Sequence, residues 1–257
     1  MQAPLTKTIF KSSKIYFETM SDDNRCVKAS DKINNSELLL VELVYSSDNY
    51  IDIPLTIQYY PELFNSLYPR KMKWDKTMIN AESMDVFESC QKKYACNSFN
   101  IDGRHVIGND ISRFNHSTSP NTTVLTSLVD VEQAIPYQIA YIYAINDINI
   151  DEEITIWYGN KYFSENTIPS ENMLRNDKNI ERYVSIMACK FLSTEEGRLI
   201  ILKHLCIYYG LHFINGVVCP TDVFIDFFHK NIKMNCNIEN IETWIKSIKT
   251  KIDETFV

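Results

Sequence analysis

The chain has 257 residues, 45% of them apolar and 23% charged, and a formal net charge of −7. That composition belongs to a globular protein, and the acidic balance excludes one that grips nucleic acid through a broadly basic surface. With no run of 18 apolar residues, no membrane-spanning helix is expected.

The charge is uneven, with −6 over residues 1–164 and −1 over residues 165–257. An acidic N-terminal portion suits a basic peptide partner, and a merely solvated surface would look the same. Seven cysteines, at positions 26, 90, 96, 189, 206, 219 and 236, include no CxxC or CxC pair. Cys90 and Cys96 lack a second pair that would complete a zinc site. Reduced, mostly buried thiols in an intracellular reducing compartment, nucleus or cytoplasm, are therefore expected. No signal-peptide apolar run opens the sequence.

Residues 14–18 and 37–45 read as strands, the first short and aromatic, the second an apolar run fit for burial. Ser21–Asn24 and Asn34–Ser36 are turn material. Residues 50–58 would add a strand that Pro54 confines to an edge or breaks. Residues 60–96 read as mostly helical, with Met84, Phe87, Cys90 and Tyr94 on one face. Residues 106–114 contain Gly108 and turn into Asn115-His116-Ser117. Residues 122–131 and 137–145 read as strands, and 153–157 as a short one.

Beyond about Asn160, helical periodicity runs through 178–191, 193–209, 221–231 and 239–252. Ser193 with Glu196 forms a capping box, Gly210 marks a helix end, and Thr221 is a further N-cap. The expected class is α+β: a β-rich unit over 1–164 with a helical insertion at about 60–100, then a helical unit over 165–257.

Four segments occur in an order that points to one family. They are Arg25–Ile33 with Glu37-Leu38, Cys96–Ile101, Phe114–Asn121 (Phe-Asn-His-Ser-Thr-Ser-Pro-Asn), and Ile142–Ile148 with Asp151–Gly159 (Asp-Glu-Glu-Ile-Thr-Ile-Trp-Tyr-Gly). Together they resemble the SET-domain protein lysine methyltransferases, nearest to the SET-and-MYND class, over roughly residues 14–163. The resemblance implies a fold of small sheets with a knot-like crossing near the site, and S-adenosylmethionine as cofactor.

By the same resemblance Asn115 would bind the methionine end of the cofactor, and the backbone at His116 its adenine edge. Tyr158 would be the catalytic tyrosine. Asn24, Arg25 and Cys26 would border the cofactor, and Tyr162 and Phe163 would cover the adenine or the lysine channel. Val124, Ile156 and Trp157 would line that channel. Aliphatic Val124 and Ile156 offer the amine no hydroxyl, which implies addition of more than one methyl. The implied partner is a protein with a basic, lysine-containing segment, a histone or another, with no direct nucleic-acid contact.

The sequence also departs from the family. Asn24 and Cys26 stand where glycines usually admit the cofactor. Thr118 replaces a cysteine that ligates zinc in many members, and the cysteine-rich tail is missing, so no metal is expected. The competing reading is a catalytically degenerate SET-like domain that binds a basic protein.

Overall fold

The apolar run Leu38–Ser47 forms β4, which is buried along almost its whole length. A strand with apolar residues at consecutive positions must be covered on both faces, which places it inside a sheet. The computed structural model describes residues 6–21, 24–50, 52–57, 61–68, 83–101, 104–129, 137–158, 178–201, 250 and 254.

The other described strands are β1 (Lys7–Lys11), β2 (Ile15–Ser21), β3 (Asn24–Ala29), β5 (Ser98–Ile101), β6 (Arg104–Ile107), β7 (Asn115–His116), β8 (Thr122–Val129), β9 (Tyr137–Ala144) and β10 (Thr155–Ile156). The helices are α1 (Asp52–Ile57), α2 (Pro61–Ser66), α3 (Ser83–Asn97) and α4 (Lys178–Leu192). The main sheet runs β5-β6-β4-β9-β8. β1 shares one edge of β4 with β6, pairing at Lys7↔Leu43 through Lys11↔Leu40 while β6 takes Tyr45–Ser47. β2 and β3 form a separate hairpin, and β7 and β10 a two-stranded parallel pair.

One core joins these sheets. Leu40, Val44, Ala140 and Ile142 of the main sheet pack with Ile15, Val27 and Ala29 of the hairpin and with Ile154 and Ile156. A second core lies under the insertion, where Ile53, Ile57, Leu63, Phe64, Leu67 and Cys90 close over Tyr45 and Ile107. Burial pushes the Cys90 thiol up to about 12, as expected for a small hydrophobe. Cys26 and Cys90 are buried free thiols, whereas Cys96 and Cys189 are exposed.

The β-rich, helix-bearing architecture agrees with the sequence reading, and four local features correct it. Residues 52–57 form a helix, not a strand. Pro54 is its third residue, where the N–H would lack an intrahelical acceptor anyway. Ile53 and Ile57, one turn apart, both enter the second core. β1, and the β5–β6 hairpin that follows the insertion, were not anticipated.

The cap of the helical segment 195–201 is Thr194, whose Oγ1 accepts from the Gly197 N–H at 3.1 Å. The Ser193 hydroxyl instead donates to the Cys189 carbonyl, finishing α4. Val184, Ala188 and Leu192 of α4 are buried, as the expected periodicity requires. Gly210, Thr221, and the expected helices 221–231 and 239–252 lie outside the described residues, Thr250 excepted.

Thr194→Ala should therefore cost about 1 kcal/mol in denaturant unfolding, through a lost helix cap. Ser193→Ala should cost less than half of that; equal costs would contradict this assignment.

Candidate active site

Three chain segments separated in sequence meet here. Residues 152–154 run beside β3, with Ala29 N–H donating to Glu152 O at 3.1 Å and Ile154 N–H to Val27 O at 2.7 Å. The same segment continues into β10, whose Thr155 and Ile156 stand opposite Asn115 and His116 in parallel register. Ser117 N–H extends that ladder to Ile156 O at 3.0 Å. One segment is thus laid between two others, which is the knot-like crossing the resemblance implies.

Asn121 replaces a missing neighbour strand. Its Oδ1 accepts from Thr155 N–H at 2.9 Å, and its Nδ2 donates to Glu153 O at 2.9 Å and to Glu152 Oε1 at 3.2 Å. Thr122 Oγ1 donates to Thr155 O at 2.7 Å. These side chains satisfy backbone groups that a two-residue strand leaves open.

Tyr158 emerges from β10 half-buried. Its hydroxyl donates to Phe114 O at 2.7 Å, and its backbone N–H donates to His116 Nδ1 at 3.1 Å. An Nδ1 that accepts leaves the neutral ring's proton on Nε2. The Tyr158 ring lies between His116, at 5.3 Å between centroids, and Phe99, edge-on at 5.7 Å. Main-chain and side-chain bonds and two aromatic neighbours therefore hold the phenol in one place.

Asn115 Nδ2 donates to Arg25 O at 2.7 Å and to Glu153 Oε1 at 2.8 Å. Next to it, Cys26 is buried, with its thiol 3.5 Å from Glu18 Oε2, which also pairs with Lys28 Nζ at 2.7 Å. Burial, the hydrogen bond to Glu18, and the charges of Glu153 and Glu18 push the Cys26 thiol up. The hydrogen bond from Lys28 holds the Glu18 carboxyl below the usual range. The Arg25 carbonyl and the Glu153 carboxylate, bridged by the Asn115 amide, form an acceptor-rich edge that suits a positively charged ligand.

The residues singled out in sequence fall into four groups. The backbone of Arg25, together with Cys26, Asn115, His116 and Tyr158, is brought together, flanked by half-buried Trp157. Arg25 points its side chain elsewhere: the guanidinium donates to Ser66 O at 3.0 Å, Asn97 Oδ1 at 2.9 Å and Ser112 O at 3.4 Å. It thereby ties the insertion to the turn before Asn115. Asn24 pairs with Ser21 in the hairpin.

Ile156 is wholly buried in the first core and not open to a channel, while Val124, half-buried, packs against that core, as Tyr158 also does. Tyr162 and Phe163 lie outside the described residues. Sequence reasoning gave no role to Phe99, Asn121 or Glu153. All three sit inside the motif segments, so the signal was there and only their contacts were missing.

A model of the SET domain matches residues 24–159. A protein of Acanthamoeba polyphaga mimivirus, described as a candidate SET domain-containing protein, is 28% identical over 153 residues, which is 60% of this chain and 47% of that protein. The chain thus spans about half the length of this relative. A solved Plasmodium falciparum structure, described as a candidate histone methyltransferase, aligns over 59% of this chain and 98% of its own. The identity there is 16% and the TM-score 0.34.

Asn121→Ala should strand the Thr155 N–H and Glu153 C=O in a part-buried setting. At about 1–3 kcal/mol for each orphaned group after partial relaxation, a loss of roughly 2–4 kcal/mol is expected in chemical denaturation. A loss under about 1 kcal/mol would mean that the residue does not act as a surrogate strand.

Proposed function

Because the chain belongs to the SET-domain family, we propose that it transfers a methyl group from S-adenosylmethionine to a lysine amine on a basic protein segment. The observation that carries this reading is the convergence of Asn115, His116 and Tyr158 on one another, with the acceptor-rich edge of Arg25 O and Glu153 beside them. When bound, the cofactor supplies an electrophilic methyl on a sulfonium. Its cationic ammonium and sulfonium groups fit the carboxylates of Glu18 and Glu153, whose charges add to burial in pushing the Cys26 thiol up. Arg25 O, Asn115 and Glu153 would hold its amino-acid end.

The chain's own residues do the positioning. Phe114 O fixes the Tyr158 hydroxyl by accepting its proton in a hydrogen bond, so the phenol oxygen presents lone pairs to a cationic centre. Held there, Tyr158 orients the reacting groups and stabilises developing charge. The half-buried rings of Phe99, Trp157 and Tyr158, with Val124, favour the neutral, reactive form of a lysine amine that enters among them. Val124 brings no hydroxyl to hold that amine, which favours more than one methylation, whereas Ile156 is closed off inside the core and does not face it.

The acidic N-terminal portion, −6 over residues 1–164, suits a basic substrate such as a histone tail. The second reading, a degenerate module that binds a basic protein without chemistry, is favoured by buried Cys26 at a glycine position.

The two readings separate by calorimetry with S-adenosylmethionine and by transfer of labelled methyl to histones and to a lysate. Transfer by wild type, with Tyr158→Phe reduced about 10²-fold or more at little-changed cofactor affinity, is the expected result. Absence of both binding and transfer would sink the enzyme reading and leave the module.

A further inference from the structure

Glu42 is a carboxylate in the middle of the central apolar strand, and it is completely buried. β1 offers Thr8 opposite it and β9 offers Ala140, so no basic residue stands across from it on either neighbour. Its partners are three successive backbone amides. Oε1 accepts from Asn109 N–H at 2.7 Å and from Asp110 N–H at 3.2 Å; Oε2 accepts from Asp110 N–H at 3.1 Å and Ile111 N–H at 2.8 Å. A carboxylate gripped by consecutive amides is an anion in a nest, the inverse of the usual case in which a loop binds a foreign anion.

The loop is built for this guest. A Cβ at Gly108 would stand 2.9 Å from Glu42 Oε2 and 2.6 Å from Ile111 Cγ2, so only glycine permits the approach. Immediately after the gripped amides, Ile111–Arg113 makes one 3-10 turn, with Phe114 N–H donating back to Ile111 O at 3.4 Å. Phe114 O receives the Tyr158 hydroxyl, and Asn115 and His116 follow directly.

We propose that Glu42 is the positioning residue of this site, a buried anion that anchors Asn109–Ile111 and thereby sets where Phe114 O, Asn115 and His116 stand. It touches neither cofactor nor substrate. Its effect on catalysis rests on the methyltransferase reading above, whereas its effect on the loop does not.

The charged groups that face it come from the loop itself. Asp110 takes a hydrogen bond from the Thr8 hydroxyl at 2.7 Å and lies 3.5 Å from Arg113 Nε. Burial first, and then the charge of Asp110, push the Glu42 carboxyl up to about 7 against the three amides that pull it down. The grip is therefore strongest above neutrality and slackens as the group takes up a proton.

The test compares wild type, Glu42→Gln and Glu42→Asp. Backbone amide NMR is read at 109–111, at 115–117 and at Tyr158, with α4 as an internal reference. In wild type the amides of 109–111 should titrate together near pH 7. In Glu42→Gln that titration should vanish and the resonances of Asn115, Ser117 and Tyr158 should shift, while α4 stays put. Glu42→Asp should restore part of the wild-type pattern. Methyl transfer by Glu42→Gln should fall roughly tenfold or more in kcat at unchanged peptide KM, as displacement of the positioned groups requires.

Unmoved resonances at 115–117 in Glu42→Gln would overturn the proposal. So would shifts spread evenly through α4, which mark general loosening. If Glu42→Gln does not fold, Gly108→Ala disturbs the same contact from the loop side and should move the same site resonances; unmoved ones there would equally overturn the proposal. A wild type that never binds S-adenosylmethionine defeats the enzyme reading, yet the amide shifts still decide for or against Glu42.

Discussion

The parallel pairing of Asn115–His116 with Thr155–Ile156 is the constraint on which this site depends. A two-residue parallel ladder has no turn to close it and little hydrogen-bond energy of its own. It survives because side chains complete it. Asn121 occupies the open edge of the later segment as a strand would, β3 accepts the backbone of 152–154, and the Tyr158 hydroxyl locks the exit onto Phe114 O. Each of these bonds contributes about 1 kcal/mol net, but an orphaned partner would cost more, so the set is held as a unit. That is why polar residues, and not apolar ones, carry the geometry at the crossing.

Arg25 extends the same logic outward. Its guanidinium reaches the end of α2, the Asn97 side chain at the end of α3, and the carbonyl of Ser112, while its own carbonyl receives Asn115. One residue therefore couples the helical insertion, with its separate apolar core, to the wall of the site. Asn97 returns the favour by bonding both the N–H and C=O of Tyr68, and Lys93 Nζ donates to Leu67 O, closing the chain that leaves α2. A change of shape in the insertion would reach Asn115 by a short, fully bonded route.

Much of this was legible in the residues. The long apolar run of β4, the strands β8 and β9, the helix at 178–192 and the motif pair around Asn115 and Tyr158 all carry strong local signals. What escaped was decided by distant partners. Lys-Thr-Ile-Phe-Lys is too short to announce β1 and becomes a strand because β4 offers an edge. Asp-Ile-Pro-Leu-Thr-Ile reads as extended from its branched residues, but burial of Ile53 and Ile57 outweighs that preference. Ser193 with Glu196 is the better cap on paper, and only the geometry of the α4 exit hands the role to Thr194. Glu42 drew no reading of its own within its apolar run, because the amides that hold it lie 67 to 69 positions away.

The crossing also has a history in time. Asn115 bonds to residues 90 positions before it and 38 after it, and Tyr158 bonds to one 44 positions back. Closing such loops costs entropy before any contact repays it, so these bonds form late in folding. During synthesis the hairpin and β4 can be made early, but the pocket waits until residue 158 has left the ribosome. A nascent chain therefore passes through a stage in which β7 has emerged and its partner strand has not. The exposed polar edge of Asn115–His116 is then open to whatever helper or competitor reaches it first.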